Sequence, residues 1–364
     1  MSKQIKAILT IIAGTIGVGF LILPYSVYKF GTFLGILVLM LVGILTLITN
    51  ITYSDIITSD KGNRQIPGYT KKYLGEVWGH LVSFIMIIGS LGILLAYGIV
   101  SGSALQVITS ALGLELSAKF LGLIFVVFAL FVMRYGMQII ARVSSWAVIA
   151  IFIAIFFLII ISVPNISLSN ATSPDLEAFP LIFGGSIFAL YSAASIPVVD
   201  ELIGYNRTLY RKVIKLATIV ILLIYIIFAL VISLSLGDSL TGELVDSFSG
   251  QKFAGLILSF LTLLATFTSF VLVANSVKEI LNYDYKIPPL SATLFISVSL
   301  ILAFLLEVSD FDMLISVVGN IALALQSLFI FAIWFRSQKK VGSLYRFIVA
   351  ISGIILLLGM LSQF

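Results

Sequence analysis

Long apolar runs separated by short polar stretches make up nearly the whole chain. A helix needs about 20 apolar residues to cross a bilayer. The runs predict eleven spans: 5–28, 32–57, 79–107, 119–134, 138–163, 178–204, 211–236, 253–281, 288–307, 311–335 and 344–363. The tightest junction is Arg134-Tyr-Gly-Met-Gln138, which must turn between the fourth and fifth spans. The longest hydrophilic stretches, 58–78, 164–177 and 237–252, are too short for a soluble domain, so 1–364 is expected to be one membrane domain. The run from Ile5 is too long for a signal-peptide core and no small-residue cleavage site follows it, so this span is expected to stay in the mature protein.

Composition agrees with lipid as the main solvent. Of the 364 residues, 60% are hydrophobic and only 10% charged, against about 45–50% and about 25% in soluble domains. The mean hydropathy is +1.20. There is no cysteine, which excludes disulfides and thiolate metal sites, and the single histidine, His80, cannot build a multi-histidine site. The net charge of +5 reflects topology, not nucleic acid binding. With the N-terminus cytoplasmic, 18 of the 21 lysines and arginines fall in inside segments; Lys29, Lys119 and Lys252 are the 3 outside. Such asymmetry sets orientation. The expected location is the cell (inner) membrane, multi-pass, with the C-terminus external.

Two spans are interrupted near their middles. Span 1 carries Gly14-Thr-Ile-Gly17-Val-Gly19 and then Pro24; span 6 carries Phe183-Gly184-Gly185-Ser186, Tyr191-Ser-Ala-Ala-Ser195 and Pro197. Glycine lowers the cost of leaving helical geometry and proline removes a helical hydrogen bond. An unwound stretch at membrane depth survives only beside a cavity. Each interrupted span opens a set of five, over 5–163 and 178–335, and an odd-numbered set must insert its second copy upside down; 344–363 is additional. Broken helices at corresponding positions of two halves point to a transporter binding site. By contrast, Gly89, Gly92, Gly98 and Gly102 on span 3 read as packing positions.

Ala13-Gly-Thr-Ile-Gly-Val-Gly-Phe-Leu-Ile-Leu-Pro-Tyr25 with Phe30-Gly31 resembles the first helix of the amino acid/auxin permease family, within the amino acid–polyamine–cation superfamily. Gly68-Tyr-Thr-Lys-Lys-Tyr-Leu-Gly75, Phe188-Ala-Leu-Tyr-Ser-Ala-Ala-Ser-Ile-Pro197 and Ala265-Thr-Phe-Thr-Ser-Phe270 are similar to that family, the last to its hydroxy and aromatic amino acid permeases. The resemblance runs through spans 1–10, although loops here are short and no soluble extension is present. It implies an all-α integral membrane fold: eleven transmembrane helices as a leucine-transporter-like 5+5 inverted repeat plus one extra helix. It also implies alternating access and an amino-acid-like substrate.

An amino acid carries a carboxylate and an ammonium. Free N–H groups where the second half of span 1 begins, around Gly17, Val18 and Gly19, suit the carboxylate. Unwound carbonyls around Ala13–Gly14 and Phe188–Tyr191 suit the ammonium. Tyr97, Phe188, Ala189, Tyr191 and Ser192 are the further candidate contacts, against a purely structural reading of the aromatic residues. Arg142 and His80 read as interfacial. No acidic or basic residue lies near the middle of any span. That pattern, with no metal cluster and no nucleophile–base arrangement in the sequence, argues against an enzyme and against a polyamine carrier or an acid-relay pump. The expectation is a carrier for a neutral amino acid, apolar or aromatic; a non-transporting sensor of the same fold, or a carrier of another small organic solute, remains an alternative. No cofactor is expected beyond a coupling ion, Na+ or H+. Resemblance to sodium-coupled members suggests a site from the Ala13, Ile16 and Ala265 carbonyls with the Thr268 and Ser269 hydroxyls. The competing reading has these hydroxyls bonded to their own helix. Proton coupling lacks an obvious carrier, since span 5 has no lysine. Nothing in the sequence fixes the oligomeric state.

A reporter fused after Phe364 is expected to be external. A cytoplasmic reading would mean that the span count is wrong by an odd number.

Overall fold

The structure is a computed structural model describing residues 3–60, 64–133, 137–204, 206–248, 252–306, 311–338 and 341–364, with side chains described over the same ranges except 137–146, 200–201, 252 and 311–313. The expected turn at Arg134 and the side chain of Arg142 lie outside the described residues. The described chain is all helical. In order come α1 (Lys3–Thr15), α2 (Gly19–Phe30), α3 (Thr32–Asp60), α4 (Ile66–Leu74), α5 (Glu76–Ala111), α6 (Ala118–Val132), α7 (Met137–Ser162) and α8 (Phe179–Leu190). There follow α9 (Ile196–Ile203), α10 (Arg207–Leu236), α11 (Leu244–Ser247), α12 (Lys252–Glu279), α13 (Pro289–Leu305), α14 (Phe311–Val317), α15 (Ala324–Ser337) and α16 (Ser343–Leu361).

Among the described residues, 7 helices are long and apolar enough to cross a membrane, and 8 if the bent pair α1–α2 counts as one span. Three shorter apolar helices, Ala118–Val132, Leu176–Leu190 and Pro289–Leu305, occupy the places of the fourth, sixth and ninth sequence-predicted spans. The chain is thus a multi-pass membrane protein. Two π-helical turns, Ile280–Asp284 and Val318–Leu323, interrupt regular geometry near the end of α12 and between α14 and α15.

Both expected interruptions are present. Helix α1 ends at Thr15 and α2 starts at Gly19, with a bend of 59° between them. Helix α8 ends at Leu190 and α9 starts at Ile196. The finer cues sort differently. Pro24 stays inside α2, and Gly184-Gly185 stays inside α8. A Cβ on Gly184 would come within 2.6 Å of Asn320 Nδ2, so that glycine serves packing against the π turn of span 10. The span 3 glycines also pack: Gly89 faces Ala322, Gly92 faces Val318, and Gly98 faces Phe304 and Val126.

Charge is concentrated where α3 ends. The Asp55 carboxylate is buried and takes Arg207 Nε at 2.7 Å, Arg211 Nε at 2.9 Å and Nη2 at 2.6 Å, and Trp334 Nε1 at 3.3 Å. One carboxylate therefore ties α3, α10 and α15 together. Next to it, α4 lies within the hydrophilic stretch 58–78, where no helix was expected. Pro67 starts α4 in its first turn, and Ile66, Pro67, Gly68, Tyr69 and Thr70 are buried. Lys71 lies over the Tyr285 ring at 4.5 Å, and Gln65 Nε2 donates to Glu279 at 2.7 Å. At the opposite end of span 1 the Tyr28 hydroxyl bonds Asp238, Asp175 N donates to the Phe30 carbonyl at 2.9 Å, and α11 tucks Leu244 and Val245 inside.

Removing one partner of a buried charge pair leaves the others uncompensated. Asp55→Asn is expected to lower the thermal midpoint of the purified protein, by the equivalent of about 3 kcal/mol, because the arginines are partly exposed. Glu115→Gln, at an exposed position, should leave it unchanged. Equal midpoints for the two variants would show that the cluster contributes nothing.

Candidate substrate site

The span 1 break frees backbone groups on both sides. Ile16 N still bonds Ile12 O at 2.9 Å and Gly17 N turns back to Thr15 O at 2.8 Å. Beyond the break the first helical bond is Leu21 N to Val18 O, at 2.9 Å. The Val18, Gly19 and Phe20 amides have no acceptor among the described residues, and no side chain caps α2. Orphan N–H groups at a helix start, together with the helix dipole, attract an anion. The carbonyls before the break are partly satisfied. Ser269 Oγ donates to Ala13 O at 3.4 Å and to Ile16 O at 3.2 Å, and the buried Tyr225 hydroxyl donates to Thr15 O at 3.4 Å.

The glycines here are required by close approach. A Cβ on Gly17 would lie 2.5 Å from Tyr97 Oη and 3.1 Å from Ser269 Oγ. A Cβ on Gly19 would lie 2.5 Å from Ala189 Cα and 2.7 Å from Phe188 Cδ1. A Cβ on Gly14 would lie 2.8 Å from Ser195 Cβ. Tyr97 and Phe188 meet edge to face, with ring centroids 6.5 Å apart, and Tyr97 Oη and Ser269 Oγ both border Gly17. The structure therefore gathers Ala13, Gly14, Ile16, Gly17, Val18, Gly19, Tyr97, Phe188, Ala189 and Ser269 around the two breaks.

Span 6 leaves helical geometry at Tyr191, whose backbone is extended at φ −62°, ψ 119°. The Ala189 and Leu190 carbonyls accept no hydrogen bond among the described residues. The Tyr191 and Ser192 side chains are engaged by other helices. The Tyr191 hydroxyl stands 3.1 Å from Gln326 Nε2 and 3.3 Å from its Oε1. Asn50 Nδ2 donates to Ser192 Oγ at 2.6 Å. Asn50 and Gln326 were not among the sequence-predicted residues. They carry no charge, and the sequence was searched for mid-span charge, yet a buried amide in an apolar span also demands a partner. On α12, Thr266 bonds Ser101 at 2.8 Å, and Thr268 Oγ1 reaches the Ala265 carbonyl at 3.1 Å and the Leu264 carbonyl at 3.2 Å. The five oxygens named for a sodium ion thus stand as two groups on adjacent residues, Ser269 with the Ala13 and Ile16 carbonyls, and Thr268 with the Ala265 carbonyl. All are neutral, which suits a monovalent hard cation beside an unwound helix.

A multi-pass helical protein with two interrupted helices packed against each other at the breaks has the architecture of a small-solute carrier. The chain belongs to the transmembrane amino acid transporter family, whose model, described as "Transmembrane amino acid transporter protein", matches residues 2–347. Among curated relatives it is 25% identical over 295 residues to Glutamine transporter 2 of Aliivibrio fischeri (strain ATCC 700601 / ES114), covering 75% of each chain. It shares its fold with the crystal structure of MhsT in complex with L-phenylalanine, at a TM-score of 0.70 and 18% identity, over 98% of each chain.

Gly17→Leu is expected to abolish amino acid binding while the protein still inserts and folds. Gly17→Ala should weaken binding, and adding Tyr97→Phe should recover part of it, because the phenol oxygen is what the new methyl strikes. Full binding by Gly17→Leu in a ligand-induced thermal-shift assay would remove span 1 from the site.

Proposed function

We propose that the protein is a secondary active transporter of a neutral amino acid that works by alternating access. One observation carries this reading: Gly19, at the start of α2, lies directly against Phe188 and Ala189, at the end of α8. A helix N-terminus is partially positive and a C-terminus partially negative, so the two meeting ends match a zwitterion. The Val18–Phe20 amides take the carboxylate and the Ala189 and Leu190 carbonyls take the ammonium, with no charged side chain needed. Tyr97 and Phe188 flank the amino acid, and their rings favour an apolar or aromatic side chain. The phenylalanine bound to MhsT supports this choice. The relative named as a glutamine transporter favours a second reading, a polar neutral side chain.

In this reading the three shorter apolar helices cross the membrane as well, which gives eleven spans in a single membrane domain. They are arranged as two inverted sets of five, 5–163 and 178–335, with 344–363 additional. The protein sits in the cell (inner) membrane with its N-terminus cytoplasmic. Sodium is the coupling ion, held between the Ser269 hydroxyl, the Ala13 and Ile16 carbonyls, and the Thr268–Ala265 pair. Binding there would draw α12 onto the span 1 break and so link ion occupancy to the shape of the amino acid site.

Uptake into proteoliposomes with either a sodium or a pH gradient imposed tests both halves. L-phenylalanine or L-leucine should accumulate saturably down a sodium gradient, and Ser269→Ala should lower the accumulation at least about tenfold, the worth of about 1.4 kcal/mol. Preference for L-glutamine would select the polar reading; preference for lysine or glutamate would overturn the neutral one. Accumulation driven by pH alone, with Thr268→Ala and Ser269→Ala both fully active, would rule out the sodium site.

A further inference from the structure

We infer that Asn50 and Gln326 are positioning residues that hold the unwound segment of span 6 in the shape that presents its carbonyls to the substrate ammonium. The inference rests on the reading of that segment as part of the site.

Both amides are deeply buried, 2% and 3% exposed, in the interiors of α3 and α15. A buried amide without partners costs roughly 1–3 kcal/mol, so their partners define what they are for. Those partners are consecutive residues of the break: Asn50 holds Ser192 and Gln326 holds Tyr191. The grip falls where α8 ends, so it acts on the backbone angles that aim the Ala189 and Leu190 carbonyls. Each bond comes from a helix outside span 6, and the two helices approach from different parts of the chain.

Packing does not do this work on the same side. Behind the segment lies a cavity of about 20 Å3 lined by Thr49, Asn50, Tyr191, Ser192, Gln326 and Ser327. That is room for about one water molecule, too little for an amino acid side chain. Contact on that side is incomplete, so the two amide bonds are the side-chain ties that reach residues 191 and 192 from other helices, while Tyr210 holds the Ile196 carbonyl just beyond. On the other side the segment bears on span 1, through Ala189 against Gly19 and Ser195 against Gly14. Asn50 and Gln326 therefore act through the span 6 backbone and do not touch the substrate.

The chain has no cysteine, so a single thiol introduced by Ala193→Cys, at a buried position of the break, reports on the segment without background. In that form, Asn50→Leu and Gln326→Leu should speed alkylation of the thiol at least about tenfold. Without the thiol, each should weaken L-phenylalanine binding about tenfold, the worth of one hydrogen bond. Asn50→Leu combined with Ser192→Ala should bind no worse than the weaker single variant, because the two act as one pair. Unchanged alkylation and unchanged affinity overturn the proposal, including when the thermal midpoint falls, which would mark a role in stability alone. Multiplying losses in the double variant overturn it as well. If the parent protein does not bind L-phenylalanine, the apolar reading of the substrate fails, and the alkylation rates alone decide the role of the two amides.

Discussion

A backbone N–H or C=O left without a partner at membrane depth costs several kcal/mol. The chain opens two helices there, at 16–18 and 191–195, and much of the surrounding structure answers that cost. Span 7 sends Tyr225 to the Thr15 carbonyl and Tyr210 to the Ile196 carbonyl, one at each break. Span 8 sends Ser269 to the Ala13 and Ile16 carbonyls. Spans 2 and 10 send Asn50 and Gln326 to the residues that follow α8. Among the groups still free, the Val18–Phe20 amides and the Ala189 and Leu190 carbonyls lie on the two helix ends that touch each other. Their signs are complementary to the two ends of an amino acid, and the glycines at 14, 17 and 19 make the approach possible.

Charge is kept away from this centre and put to use at the rims. Asp55 joins three helices through two arginines and a tryptophan. At the other end, Tyr28 and Asp238 bind the end of α2 to the loop before α11. A full charge near the breaks would dominate a low-dielectric site and compete with a zwitterion held by partial charges. Neutral oxygens and helix ends supply graded attraction instead, which suits a ligand that must also be released.

The sequence exposed the architecture because its cues are cooperative. Long apolar runs recur along nearly the whole chain and mark a multi-pass helical protein, and Gly14, Gly17, Gly19 within six residues marked the first break. Single cues were less telling. Pro24 is accommodated within α2, and Gly184 packs against Asn320 and Gly185 against Ser26 and Ile22; the second break instead falls at Tyr-Ser-Ala-Ala-Ser, where no glycine is present. Helix α4 was hidden because its buried face forms against distant parts of the chain, α15 and the π turn after α12, as well as α5. Asn50 and Gln326 were invisible because an uncharged amide in an apolar run declares itself only through the helix that receives it. Thr266, Thr268 and Ser269 look equivalent in sequence, yet Thr266 and Thr268 bond back to their own helix, Thr266 also accepting from Ser101 of span 3, while Ser269 turns to span 1.

The central claim is that the free backbone groups of the two breaks bind the amino acid. Hydrogen–deuterium exchange on the detergent-purified protein measures them directly, with and without whichever of the twenty amino acids raises its thermal midpoint most. Peptides spanning 16–20 and 191–195 should exchange readily in the free protein and gain protection on binding, in excess of any change in α13 or α16. Protection confined to other helices, with both breaks unchanged, would contradict the account.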